Sequence, residues 1–180
     1  LIDRWGKEDP EILQESIESI KDETENMSEL IKRMLMLAKY QQKTGVIQQK
    51  TVCLNEVCED VAKEYEIMDI NHKIVFSGDE KRFIKGDFDL IKQMLRIFVD
   101  NAIKYSEAEN GPVEIEVYGE EDCSVISVSD HGIGVSSQDL PHLFERFYRA
   151  DKSRNKEVPG NGIGLAVADV IIKQHKGWTE

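Results

Sequence analysis

The segment from Asp130 to Leu165 constrains this 180-residue chain more than any other. It reads Asp130-His131-Gly132-Ile133-Gly134, then Leu143-Phe144-Glu145-Arg146-Phe147-Tyr148-Arg149, then Gly160-Asn161-Gly162-Ile163-Gly164-Leu165. Glycine runs thus bracket an aromatic and basic segment. Glycine reaches φ > 0 without strain and lets a ligand come close to the backbone. Two such points after apolar runs point to a nucleotide held between two loops. The runs are not a Walker A loop, since no Gly-Lys-[Ser/Thr] occurs. They are not a dinucleotide fingerprint either, since the third glycine and the preceding βα context are missing.

A formal net charge of −12 argues against a nucleic-acid binder, whose footprint is a basic face. It does not argue against an anionic small ligand, because local charge decides that. From Glu145 to Glu157 five Lys/Arg face three Asp/Glu, so this segment is basic inside an acidic chain. No apolar run approaches the roughly 20 residues that span a bilayer. Leu1-Ile2-Asp3-Arg4-Trp5 lacks the apolar core of a signal peptide, and a chain without an initiator Met is expected to be a piece of a longer protein. Cys53, Cys58 and Cys123 are too few and too scattered for a zinc site or a disulfide framework, which leaves reduced thiols.

Asp9-Pro10-Glu11 starts a helix: Asp can cap, Pro suits the first helical position, and Glu complements the dipole. Leu13, Ile17, Ile20, Thr24, Met27, Ile31, Met34 and Ala38 then alternate steps of four and three, a heptad seam with Thr24 as its polar defect. Leu30, Leu35 and Leu37 widen the stripe, which fits a bundle or dimer helix; an ordinary amphipathic helix lying on its own domain remains open. Gln41 to Lys50 reads as a linker around Thr44-Gly45. The expected domains are therefore 1–44 and 45–180.

The second part is predicted as helix (54–68), strand and turn (73–78), short strand (83–87) ending at a helix cap, and helix (88–105) with a core face of Ile91, Met94, Leu95, Phe98 and Ala102. A hairpin follows, 113–118 and 124–129 around Glu120-Glu121-Asp122. A last helix runs from Ile163 to His175 with Gly177 as its C-cap, and Trp178-Thr179-Glu180 begins a strand. This order predicts an α+β fold, a two-layer sandwich with a mixed, mostly antiparallel sheet covered by helices on one face.

Three groups of residues carry candidate chemistry. Asn101, Lys104 and Tyr105, at i, i+3 and i+4, project from one helix face. The Asn oxygen suits Mg²⁺, the Lys reaches phosphate, and the Tyr can stack on a base; taken alone, they equally fit a solvated face. Asp130, where a strand gives way to Gly132, can accept a hydrogen bond from the amino group of adenine. Guanine offers a carbonyl there, so a buried Asp would select ATP over GTP; the alternative is an Asp that simply begins a turn. His131 reads as a spacer. Phe144 and Phe147 would anchor a loop whose Arg146, Arg149, Lys152 and Arg154 meet phosphate oxygens. Pro159-Gly160-Asn161-Gly162 would hinge it, and helix amides from Ile163 would face the phosphates. A disordered basic loop before ligand binds is compatible with this.

Together these pieces resemble the catalytic, ATP-binding part of sensor histidine kinases, within the GHKL ATPase fold. Asp100 to Ser106 resembles the family's N box, Asp130 to Gly134 its first glycine box, Leu143 to Arg149 its F box, and Gly160 to Leu165 its second glycine box. The heptad helix resembles the second helix of the dimerisation and phosphotransfer domain. The resemblance implies ATP and Mg²⁺ as cofactors, with Mg²⁺ on Asn101 and Lys104 at phosphate. It puts Tyr105, Asp130, Gly132 and Gly134 at the base, and Arg146, Arg149 and Lys152 at the phosphates. Gly160, Gly162, Gly164 and Leu165 fall in the closing lid, with Phe144 and Phe147 beside the nucleotide. It also implies a homodimer through the heptad helix, a response-regulator receiver domain as partner, and the cytoplasmic position of a membrane-anchored sensor. Other GHKL ATPases, or a nonenzymatic dimerisation module with a degenerate pocket, are the alternatives.

The acceptor histidine of a His-Glu-Leu-Arg-Thr-Pro-like segment does not occur, and His72, His131, His142 and His175 stand in other contexts. The chain is expected to begin downstream of that histidine and to stop before the family's last strand and a further glycine box. The 180-residue chain should therefore acquire no acid-labile phosphate when incubated with labelled ATP and Mg²⁺; label retained on it would overturn this.

Overall fold

The structure is a computed structural model that describes residues 10–41, 47–69, 71–78, 80–150 and 160–180. Helix α1 (Pro10–Gln41) has Pro10 in its first turn with Glu11 beside it, and Lys39 in its last, an arrangement that suits the macrodipole at both ends. Its heptad seam is not spent on the rest of the chain: Ile20, Met27, Ile31 and Met34 stay about half exposed. Leu30, Met36 and Leu37, from a different stripe, bury themselves instead, Leu37 to 4% exposure. Thr24 costs the helix no unpaired hydroxyl, because it donates to the Ile20 carbonyl at 2.7 Å.

The α/β part holds its strands in two pieces. β1 (Lys50–Cys53) pairs antiparallel with β3 (Phe83–Gly86), matching Val52 to Ile84. β2 (Ile74–Ser77) pairs parallel with β4 (Val113–Glu120), which pairs antiparallel with β5 (Cys123–Ser129). The mixed sheet and the turn at Glu121 agree with the expected hairpin. β1 does not agree with the expected linker, which was drawn through Lys50. Thr51 and Val52 favour extended backbone, but a four-residue strand is legible only once its partner is known. The core of the expected linker, 42–46, lies outside the described residues.

α2 (Leu54–Met68) and α3 (Phe88–Tyr105) cover the sheet. α3 starts at Asp87, whose carboxylate accepts from the Asp89 and Leu90 amides at 3.1 and 3.3 Å, a side-chain N-cap. Ile91, Leu95, Val99 and Ala102 enter one core with Val57, Val61, Ile115 and Val117. On a face almost opposite, Ile97, with Leu90 and Phe98 partly buried beside it, enters a second core against α4 (Gly164–Gln174), built on Ile163, Val167, Ala168 and Ile171. The expected core face of α3 was therefore too narrow: Ile97 and Val99 are buried as well.

Polar groups pin the corners. Buried Asn55 accepts from the Arg82 amide at 2.9 Å and donates to the Glu80 carbonyl at 3.1 Å, tying α2 to the β2–β3 connection. His175 Nε2 accepts from the Asp87 amide at 3.0 Å, and Nδ1 then donates to the Ile171 carbonyl at 2.8 Å, so a neutral imidazole joins the end of α4 to the start of α3. The Tyr65 hydroxyl is bonded to the Asp100 carboxylate, and burial pushes its pKa up. Burial likewise pushes the Cys58 thiol up to about 12, as befits an inert structural thiol.

The end of α4 departs from expectation. Gly177 donates to the Ile172 carbonyl at 2.9 Å and Lys176 to that of Lys173 at 3.1 Å, a Schellman pattern. The left-handed residue in it is Lys176, at φ 61, and not the glycine that follows. Residues 177–180 take no regular structure, so the expected strand at Trp178 is absent among the described residues. Because a side chain in the left-handed region carries a steric cost, Lys176→Gly should raise the free energy of urea unfolding by about 0.5–1 kcal/mol. An unchanged or lower midpoint would contradict this account of the cap.

Candidate functional site at the end of α3

The last turn of α3 brings the separate glycine runs to one place. The Tyr105 carbonyl, which a continuing helix would have bonded, accepts from the Ile133 amide at 3.1 Å. A Cβ on Gly132 would lie 2.3 Å from that carbonyl oxygen, so only glycine permits the approach. One residue earlier, Lys104 places its ammonium 4.9 Å from the Tyr105 ring centroid and beside Gly160, where a Cβ would fall 2.3 Å from Nζ. Both loops are thus fitted to consecutive residues of one helix.

Asn101, one turn before Tyr105, donates through Nδ2 to the Ile97 carbonyl at 2.9 Å. That bond fixes the amide and leaves its oxygen as the end a hard cation can use. Among the described residues no cluster of three His, Cys, Asp or Glu could hold a metal. A protein cage is therefore not what these residues offer. One neutral oxygen beside a phosphate chain is a setting in which Mg²⁺, which keeps most of its waters, is commonly held.

Asp130 lies beyond the end of β5, and its Oδ1 accepts from the Gly132 amide at 2.8 Å. It is exposed, which corrects the expectation of a buried carboxylate. The turn reading and the base reading are thus both present in one group: one oxygen shapes the turn, and the other is left to solvent. Gly134 sits at φ 68 with nothing near its absent Cβ, so conformation alone demands glycine there. His131 packs on Gly111, where a Cβ would be 2.4 Å from its ring.

The aromatic and basic segment holds the second glycine run by its backbone. The Phe147 amide donates to the Gly162 carbonyl at 2.8 Å, and Arg149 donates to the Gly160 carbonyl at 2.9 Å. Gly162 has φ 62, and a Cβ there would sit 2.7 Å from the Tyr148 carbonyl. One expectation is corrected. Phe144 is half buried, but Phe147 is 63% exposed at φ 62 and anchors nothing with its ring. The anchoring ring is Tyr148, whose hydroxyl donates to Asp139 at 2.6 Å and whose face lies 5.3 Å from His142. The sequence signal for it was an aromatic three residues after a turn-forming His142–Glu145 pair, which spacing alone does not raise above its neighbours. Arg146 is exposed; Lys152, Arg154 and Pro159 lie outside the described residues.

α4 begins at Gly164 with Ile163 as its N-cap and no side-chain cap, its first internal bond being Val167 to Ile163 at 3.0 Å. The amides of its first turn have no carbonyl within the helix to meet. Leu165 turns toward the second core, beside Ile163 and Val167. A cavity of about 790 Å³ lies elsewhere, between β5, α3 and residues 172–180, and takes in Phe144 but none of the glycines of either run.

Residues 86–180 match the family described as histidine kinase-, DNA gyrase B-, and HSP90-like ATPase. Over 175 residues the chain is 39% identical to a sensor histidine kinase, YkoH, of Bacillus subtilis (strain 168), covering 97% of this chain and 38% of that protein. It is 33% identical over 180 residues to the signal transduction histidine-protein kinase ArlS of Staphylococcus aureus (strain USA300), covering 98% of this chain and 39% of that protein. Among solved structures, the Acinetobacter baumannii histidine kinase AdeS superposes with a TM-score of 0.70 at 25% identity over 87% of this chain and 72% of that one. The catalytic domain of the histidine kinase ThkA superposes at 0.59 and 25% identity, over 71% and 81%. The chain belongs to the histidine kinase-, DNA gyrase B- and HSP90-like ATPase family. It spans about two-fifths of the length of the curated relatives it matches.

The fit between Gly132 and the Tyr105 carbonyl is testable without any ligand. Gly132→Ala should detach the loop from α3, so that the Ile133 amide exchanges with solvent about ten times faster or more, the loss of a bond worth about 1 kcal/mol plus the steric conflict. Unchanged exchange at Ile133 would show that the loop does not depend on this contact.

Proposed function

We propose that this chain is the ATP-binding catalytic region of a two-component sensor histidine kinase, passing the γ-phosphoryl group of ATP to a histidine and thence to a response-regulator aspartate. The observation that carries the proposal is the convergence of both glycine loops on the last turn of α3. In this reading the Asn101 amide, the Lys104 ammonium and the Asp130 carboxylate face one nucleotide. Family membership and the named relatives make ATP the nucleotide to expect there.

In this reading the free oxygen of Asp130 accepts from the adenine amino group, while Gly132 and Gly134 keep the base site clear of side chains and Tyr105 lies against the base. Asn101 would hold Mg²⁺, which when bound neutralises charge on the phosphates. Lys104 and Arg149 sit where charge-assisted bonds to phosphate oxygens would replace their present contacts with Gly160. Arg146, Lys152, Gly162, Gly164, Leu165, Phe144 and Phe147 complete the phosphate end and its lid. The chain's own groups then orient the γ-phosphoryl for in-line attack and take no covalent part themselves.

The exposed seam of α1 supports the wider reading. Apolar residues repeating at heptad spacing and left uncovered fit a homodimer through this helix, with residues 1–44 as part of a dimerisation and phosphotransfer domain and 45–180 as the catalytic one. No helix among the described residues is long and apolar enough to cross a membrane. The whole protein would carry this region on the cytoplasmic side of a membrane-anchored sensor, facing a receiver domain and not nucleic acid.

The test is a calorimetric titration with ATP and with GTP, each with Mg²⁺, against wild type and Asp130→Asn. ATP should bind the wild type in preference to GTP, and the variant should lose a few kcal/mol of ATP affinity at most, about the cost of one unpaired group. Equal affinity for the two nucleotides, or an unaffected variant, would remove Asp130 from the base site.

A further inference from the structure

We propose that Arg33, on α1, is a phosphate-contacting residue of the nucleotide site, so that the long helix supplies part of the grip on the ligand. This rests on the nucleotide reading above. Arg33 stands one turn before Leu37 and on the same face, and Leu37 is 4% exposed against α4. That docking carries the guanidinium to the second glycine run: Nη1 lies 3.7 Å from where a Cβ on Gly164 would be. Its Nε is paired with Glu29 at 3.5 Å, which leaves the Nη1 end turned to Gly164 and the side chain one-third exposed.

Three cations from three separate elements therefore flank five residues of backbone. Lys104 from α3 and Arg149 from the aromatic segment meet Gly160, and Arg33 from α1 meets Gly164. Like charges gathered beside backbone that itself presents N–H groups repel one another, and Glu29 offsets part of this at Arg33. A polyphosphate placed among them attracts each of the three and offsets their mutual repulsion. Lys104 and Arg149 are within the motifs that the nucleotide reading already uses. Arg33 lies outside all of them, on a helix whose other functions concern dimerisation. Its consequence is reciprocal: whatever α1 docking contributes to nucleotide affinity, nucleotide returns to α1 docking.

The experiment titrates the 180-residue chain with ATP plus Mg²⁺ and, separately, with adenosine, for wild type, Arg33→Ala and Arg33→Lys. Arg33→Ala should weaken ATP by about tenfold, the loss of one charge-assisted bond at a partly exposed site. Arg33→Lys should keep most of the affinity, and adenosine, which has no phosphate, should bind all three alike. ATP affinity unchanged in Arg33→Ala would overturn the assignment. Equal losses for ATP and adenosine would overturn it too, by showing a merely structural effect. A wild type that binds neither ligand would refute the nucleotide reading itself, and the assignment with it.

Discussion

Every other part of this molecule is placed by the burial of α3 on two sides at once. Ile91, Leu95, Val99 and Ala102 are held by the sheet and α2, while Ile97 is held by α4. A helix clamped between two close-packed cores has little freedom to slide or turn, because either motion opens voids on both sides. Its last turn is consequently a fixed platform. Asp87 at one end ties it to His175, and Tyr105 at the other ties it to the loop after β5. The polar residues of that turn need no network of their own to be well placed; the apolar residues one and two turns back do it for them.

The loops are shaped to that platform by glycines of two kinds. Gly132 is needed for space, since a Cβ would strike the Tyr105 carbonyl, whereas at Gly160 a Cβ would meet only the mobile tip of Lys104. Gly134 is needed for conformation alone, and Gly162 for both reasons. Phe147 holds positive φ without being glycine, at a cost of about 1–3 kcal/mol that its surroundings must bear. Its amide bond to Gly162 is what the strain secures, so the backbone of the aromatic segment matters more than its exposed ring.

Charge is distributed against the overall balance. An acidic chain collects cations at one glycine run, with Lys104, Arg149 and Arg33 arriving from three elements. α1 itself is divided by stripe: one set of apolar residues meets α4 and the heptad set is left outward. A single amphipathic pattern thus serves two surfaces, which is why its hydrophobic band is wider than a two-stranded seam requires.

Most of the element pattern could be read directly. The helices at 54–68 and 88–105 are present over those residues, and the hairpin turns where the acidic triplet stands, because periodicity and capping are local properties of the chain. The chemistry-bearing residue types were legible for the same reason, as glycines, an amide and a carboxylate at fixed spacing. What was not legible is what depends on distant partners. β1 exists because β3 lies beside it; Tyr148, and not Phe147, became the anchor because Asp139 and His142 were folded under it. Lys176, and not Gly177, took the left-handed turn because the last turn of α4 closed where it did. Asp130 is exposed because β5 ends before it. The amino-acid order determined which residues could bind and which segments could be helical. Only the packing of α3 between two cores decided that Tyr105, Gly132, Lys104 and Gly160 would gather at one end of it, since that placement comes from contacts between residues up to about a hundred positions apart.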